Sequence, residues 1–155
     1  MKATKVLADS LQSVLVDLIE LHVQGKQAHW SVVGKNFRDM HLQLDEIIEA
    51  ARLLSDEVAE RMRALEVSPD GRSETVSATT TLKKFPAGEV DTHETVELVT
   101  AMLDAVAGTC RTVHDDVDEA DPTSADILHS VIEQIEQFAW MVSAENRVPR
   151  KPARK

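Results

Sequence analysis

Five side chains between His29 and Glu60 have the types and spacing to hold a transition metal. They are His29, His41, Asp45, Asp56 and Glu60, separated by 12, 4, 11 and 4 residues. Imidazole nitrogens mixed with carboxylate oxygens suit Fe(II), Mn(II), Co(II) or Zn(II), whereas Ca2+ and Mg2+ favour oxygens alone. From Asn36 onward the stretch reads as one long helix, with Asn36 as N-cap and Asp39 as a capping-box acceptor. At about 100° per residue, His41, Asp45, Asp56 and Glu60 fall within an arc of about 100°. They share one stripe. Along the axis, a rise of about 1.5 Å per residue sets His41 and Asp56 about 22 Å apart, too far to share one ion. The stripe works as a metal site only if a second copy of the helix, running antiparallel, brings its Asp56 and Glu60 opposite His41. A His and an acid four apart are commonplace on solvated helix faces; five such residues on consistent faces are not.

The elements that must carry these residues read as four long helices. Val6, Leu7, Leu11, Val14, Leu15, Leu18 and Ile19 recur by three and four, giving an amphipathic helix over residues 4–30. Gly34 and Asn36 turn the chain into a second helix, from Asn36 to about Leu65, with Pro69-Asp70-Gly71 as the stop. Asp91, with Glu94 three residues on, opens a third helix over 92–119. Asp121-Pro122 breaks it, and Pro122 suits the first turn of a fourth helix, about 123–145. The 67–91 connection is too long for a structureless loop in a compact domain, so a short helix is expected within 73–81. Connections that run short, long, short give an all-α, up-down-down-up bundle with one crossover, the ferritin-like topology. The usual di-iron bundle also needs Glu-x-x-His on two helices. This chain has none; the nearest, Asp126-x-x-His129, has no counterpart.

Composition agrees with an all-α protein. The 155 residues suffice for one core, apolar content is 43%, and Gly and Pro number only five each. No apolar run of 18 residues and no basic-then-apolar leader is present, so a cytoplasmic protein without a membrane span is expected. The lone Cys110 excludes an intrachain disulfide and a thiolate cluster within one chain, and reads as a core filler. The net charge of −10 is uneven. The last ten residues, NRVPRKPARK, hold five of the 17 basic residues and no acid. The 12 that remain against 27 acids give residues 1–145 a charge near −15, a body that attracts cations and repels nucleic acid.

GKQAHWSVVGKNFRDMHLQLDE (25–46), followed by SDEVAERMRALEVSPDG (55–71), resembles the Dps family of mini-ferritins, over about residues 5–146. That resemblance implies a hollow cage of twelve subunits, built from dimers, with ferroxidase centres on the dimer two-folds. His29, His41 and Asp45 would come from one subunit and Asp56 and Glu60 from its partner, together holding two irons. The implied activity is oxidation of Fe(II) by hydrogen peroxide, storage of the ferric mineral and protection of DNA from oxidative damage. Zn(II) would compete for such ligands. Ser31 departs from the family, which usually has Asn after His-Trp. The absence of Glu-x-x-His argues against a 24-subunit ferritin.

Other residues read less specifically. Trp30 either intercepts radicals, as the resemblance implies, or packs a helix end. Arg52 either tethers Asp56, four residues on, or makes a surface pair. Trp140 and Phe138 read as packing residues, and His22 as structural. In the acidic stretch 114–126, Asp118, Asp121 and Asp126 are candidates for the cation-entry pore that the resemblance implies. Residues 1–146 form the domain. Residues 147–155 read as a mobile basic tail, whose Arg147, Arg150, Lys151, Arg154 and Lys155 are candidates for non-specific, salt-sensitive DNA binding multiplied by many copies. A nucleoid-associated, DNA-compacting protein with a vestigial or structural metal site is the alternative reading.

Overall fold

The computed structural model describes residues 1–149, and it folds as four long helices around one core. The helices are α1 (Lys5–Ser31), α2 (Phe37–Ala64), α4 (Thr92–Ala120) and α5 (Pro122–Ala144), with a short α3 (Ser73–Thr79) inside the crossover. α1 packs on α2 and α4, and α5 packs on α4 and α2, closing the bundle. The interior is aliphatic: Leu7, Leu11, Leu18 and Leu21 of α1 meet Leu44 and Ile47 of α2, Leu103 of α4, and Leu128 and Ile135 of α5. Periodicity alone placed these residues on the buried faces. Cys110 is fully buried, and burial, aided by the Asp17 charge, pushes its thiol up to about 12. It is an inert filler. Phe138 packs at the core edge, but Trp140, expected to pack, is 62% exposed.

The helix ends show which local signals operate. Asp91 accepts from the His93 and Glu94 amides at 2.9 and 3.1 Å, as its capping pattern predicts. Asn36 sits at the expected boundary but does not cap. Its backbone is left-handed (φ 59°) and its amide donates to Glu145 instead, at 3.3 Å. Asn tolerates that conformation better than most residues, and the turn after Gly34 (φ 115°) requires it. α2 ends before Pro69. The Val67 amide bonds the Met62 carbonyl at 2.9 Å and the Glu66 amide bonds Arg63 at 3.1 Å, a Schellman closure with Glu66 (φ 63°) in the place usually taken by glycine.

The crossover is stapled to α1. Gln12 exchanges two hydrogen bonds with the Asp70 backbone, at 2.8 and 2.9 Å. The buried carboxylate of Asp17 accepts from the Thr81 amide and from the hydroxyls of Thr80, Thr81 and Thr109, at 2.6–2.9 Å. Gln24 accepts from the Phe85 amide at 2.7 Å. The chain then returns to the end where α2 began. There a two-residue parallel pair, β1 (Val32–Val33) with β2 (Val90–Asp91), joins the exit of α1 to the entry of α4. These bonds explain how so long a connection stays ordered: its buried backbone groups are satisfied by side chains of α1.

Candidate metal centre

The turn between α1 and α2 folds His29, in the last turn of α1, back over His41, in the second turn of α2. Their rings stack with centroids 3.6 Å apart. The His29 Nδ1 lies 3.0 Å from the His41 carbonyl oxygen, and the His41 Nδ1 lies 2.9 Å from the His29 carbonyl oxygen. A carbonyl only accepts, so both Nδ1 atoms carry protons and both Nε2 atoms keep their lone pairs. Outer-shell bonds of this kind fix the tautomer and aim of metal-ligating histidines. Asp45, one turn beyond His41, completes a group whose ligand atoms all lie within 4.8 Å of one another.

The acid is already engaged. The Lys26 ammonium donates to Asp45 at 3.0 Å, and the His29 Nδ1 lies 3.4 Å from the same oxygen. The hydrogen bond from Lys26 holds the Asp45 carboxyl below its ordinary value; partial desolvation pulls the other way, and the nearby His29 adds to the lowering. Asp45 is therefore ionised at neutral pH and able to bind a cation.

Asp56 and Glu60 do not join this group. Both are exposed on α2, and Asp56 lies about 16 Å along the axis from Asp45. Asp56 borders an open groove of about 400 Å3 whose far wall is Pro69 and Gly71 of the stapled crossover. Arg52 does not tether Asp56: its guanidinium grips Glu49, one turn back, at 2.6 and 3.0 Å. The two helices that carry these residues also expose apolar side chains, among them Val23 and Trp30 of α1 and Leu42 and Leu53 of α2, with Trp30 at 70% exposure. His22 is half-buried.

Among the pore candidates, Asp118 and Asp126 are exposed but Asp121 is buried. Asp121 pairs with Arg61 of α2 at 2.5 Å and accepts from the Ser124 hydroxyl. Burial works against its anion, but the bonds from Arg61 and Ser124 outweigh it and leave the carboxyl below its ordinary value. It locks the far end of α2 to the α4–α5 junction and has no free face to offer a passing cation. Of the basic tail, Arg147 is exposed, and Arg150, Lys151, Arg154 and Lys155 lie outside the described residues. Sequence reading missed Lys26 and the reciprocal histidine–carbonyl bonds, for which no sequence pattern exists.

The ferritin-like domain family matches residues 8–148, and the bundle belongs to that class. Within it the chain belongs to the Dps family. It is 33% identical over 140 residues to DNA protection during starvation protein 2 of Deinococcus radiodurans, covering 90% of this chain but only 58% of that protein's length. It is 34% identical over 140 residues to the DNA protection during starvation protein of Agrobacterium fabrum, covering 90% of this chain and 84% of the relative. The structure of Dps from Microbacterium arborescens in the high iron form superposes with a TM-score of 0.86 at 30% identity, covering 94% of this chain and 97% of that one. Among the described residues, no helix is long and apolar enough to cross a membrane.

Proposed function

We propose that this chain is the subunit of a Dps-type homo-oligomeric cage, a dodecamer built from dimers, that oxidises Fe(II) and stores the ferric product. The observation that carries this reading is the split stripe on α2. His29, His41 and Asp45 lie together, with each ring's Nδ1 at a carbonyl of the other histidine, while Asp56 and Glu60 stand exposed about 16 Å or more along the same helix. A two-fold axis through this face would bring each half to its complement. The family and the high-iron relative support iron as the substrate.

In this reading His29, His41 and Asp45 of one chain and the partner's Asp56 and Glu60 together would hold two Fe(II). Two ions deliver two electrons together: one H2O2, two Fe(II) and two protons give two Fe(III) and two H2O. The paired transfer avoids the one-electron cleavage that releases hydroxyl radical, and so protects DNA. Trp30, exposed beside the site, is placed to be oxidised by any radical that escapes. Asp118 and Asp126 are the acids left free to guide cations inward. The basic tail beginning at Arg147 would add non-specific DNA contact, placing the cage at the nucleoid in the cytoplasm. A chain ending at Asn146 should then lose its low-salt gel shift.

The direct test is stopped-flow oxidation of Fe(II) by peroxide. The His29→Ala/Asp56→Ala cage should fall to the protein-free rate while remaining assembled. Wild-type speed in that variant would refute the site.

A further inference from the structure

A second histidine pair, remote in sequence from the α1–α2 site, joins α4 to α5. The Nε2 atoms of His114 and His129 face each other at 2.7 Å. The His114 Nδ1 is 3.0 Å from an oxygen of Asp115. A carboxylate only accepts, so that Nδ1 carries the proton and the His114 Nε2 is a lone pair aimed at His129. The His129 Nδ1 in turn lies 3.6 Å from Asp126, beyond hydrogen-bond distance. At this separation of the two Nε2 atoms the contact is an N–H···N hydrogen bond, the His129 Nε2–H donating to the His114 lone pair.

We propose that His114 and His129 form a second binding site, for one divalent cation of the Zn(II), Co(II), Ni(II) or Cu(II) class, which takes the place of the hydrogen bond between the two Nε2 atoms. Imidazole nitrogens about 2.0–2.1 Å from such an ion, at bond angles of 90–110°, stand roughly 3 Å apart. The pair is short of this by a few tenths of an ångström, and both rings sit at the surface with room to open. Asp115 accepts from the His114 Nδ1 as an outer-shell partner, and Asp126 is exposed enough to swing in as a further ligand. The pair lines an open groove of about 420 Å3 with Arg111, whose charge is neutralised by Glu136 at 2.6 Å. Among the described residues lining the groove, no uncompensated cation opposes the ion. The Asp126-x-x-His129 motif thus finds a use, with a histidine of α4 rather than a second Glu-x-x-His.

The test uses the His29→Ala/Asp56→Ala cage, in which the α1–α2 site is disabled, and titrates it with Zn(II) against a chromophoric chelator. One Zn(II) per chain should bind. Adding His114→Gln or His129→Gln separately should each weaken that binding at least about tenfold. Both residues are at least partly exposed, so neither change removes core packing. Absence of residual Zn(II) binding in the parent cage, or unaltered affinity in either single variant, would overturn the site. Because the parent already lacks His29 and Asp56, this result stands apart from whether those residues oxidise iron.

Discussion

At one end of the α2 stripe, His41 and Asp45 are held by α1, through the reciprocal carbonyl bonds with His29 and the ammonium of Lys26. At the other end, Asp56 and Glu60 stand in solvent with no cationic partner at ion-pair distance among the described residues. The first half is preorganised by its own chain, with tautomers chosen before any metal arrives. The second is positioned only as a helix face, with the crossover behind it. Under the proposed function, such a site would be incomplete in a monomer and complete in a dimer. In the proposed reading, iron oxidation is thereby coupled to assembly.

The largest effects separate the halves. Asp56→Ala/Glu60→Ala and His29→Ala/His41→Ala should each reduce peroxide-driven Fe(II) oxidation to the protein-free rate. Only the histidine pair should also lower stability, by about 2 kcal/mol, because only it removes internal hydrogen bonds. Equal losses of melting temperature in both would mean that the far half is not a free face.

Next is the anchor of the far half. Asp121→Asn should cost about 3 kcal/mol at neutral pH by leaving Arg61 without its anion, as read from urea midpoints. The folded carboxyl lies below its ordinary value of 3.8, so its contribution is complete above that value and lost as pH falls through the folded one. The gap between wild type and variant should therefore close in acid. A gap that widens there would reverse the assignment. Iron uptake should be slowed by Asp118→Asn/Asp126→Asn but not by Asp121→Asn.

A smaller effect sharpens the near half. An ion entering beside Asp45 must displace the Lys26 ammonium, so Lys26→Met should tighten Co(II) binding by roughly fivefold at low salt and less at high salt. Weaker binding in Lys26→Met would instead make the lysine a support for the carboxylate.

Much of this was legible before any coordinates. Three-and-four spacing found the helices, Asp91 found its cap, and the rise of a helix required the split of the stripe. What was hidden depends on contacts far apart in sequence. Asp17 is one more acid in an acidic chain until Thr80, Thr81 and Thr109 converge on it. Asp121 resembled the exposed acids near it until Arg61, 60 residues earlier, claimed it. Trp140 was misplaced because residue type outweighed phase. Ile135, Ala139 and Val142 are buried, and position 140 lies off their stripe. Arg52 could reach Glu49 or Asp56 with equal ease by spacing, and rotamer and neighbours chose Glu49.

The central claim is that each site takes one half from each of two chains, and mixed cages test it most directly. Subunits of His29→Ala/His41→Ala and of Asp56→Ala/Glu60→Ala, each inactive alone, are unfolded, mixed equally and reassembled. Random pairing across the two-fold gives mixed dimers with one intact and one doubly defective site, so about a quarter of all sites should regain rapid peroxide-dependent oxidation. Mixed cages as inactive as their parents would contradict the shared site.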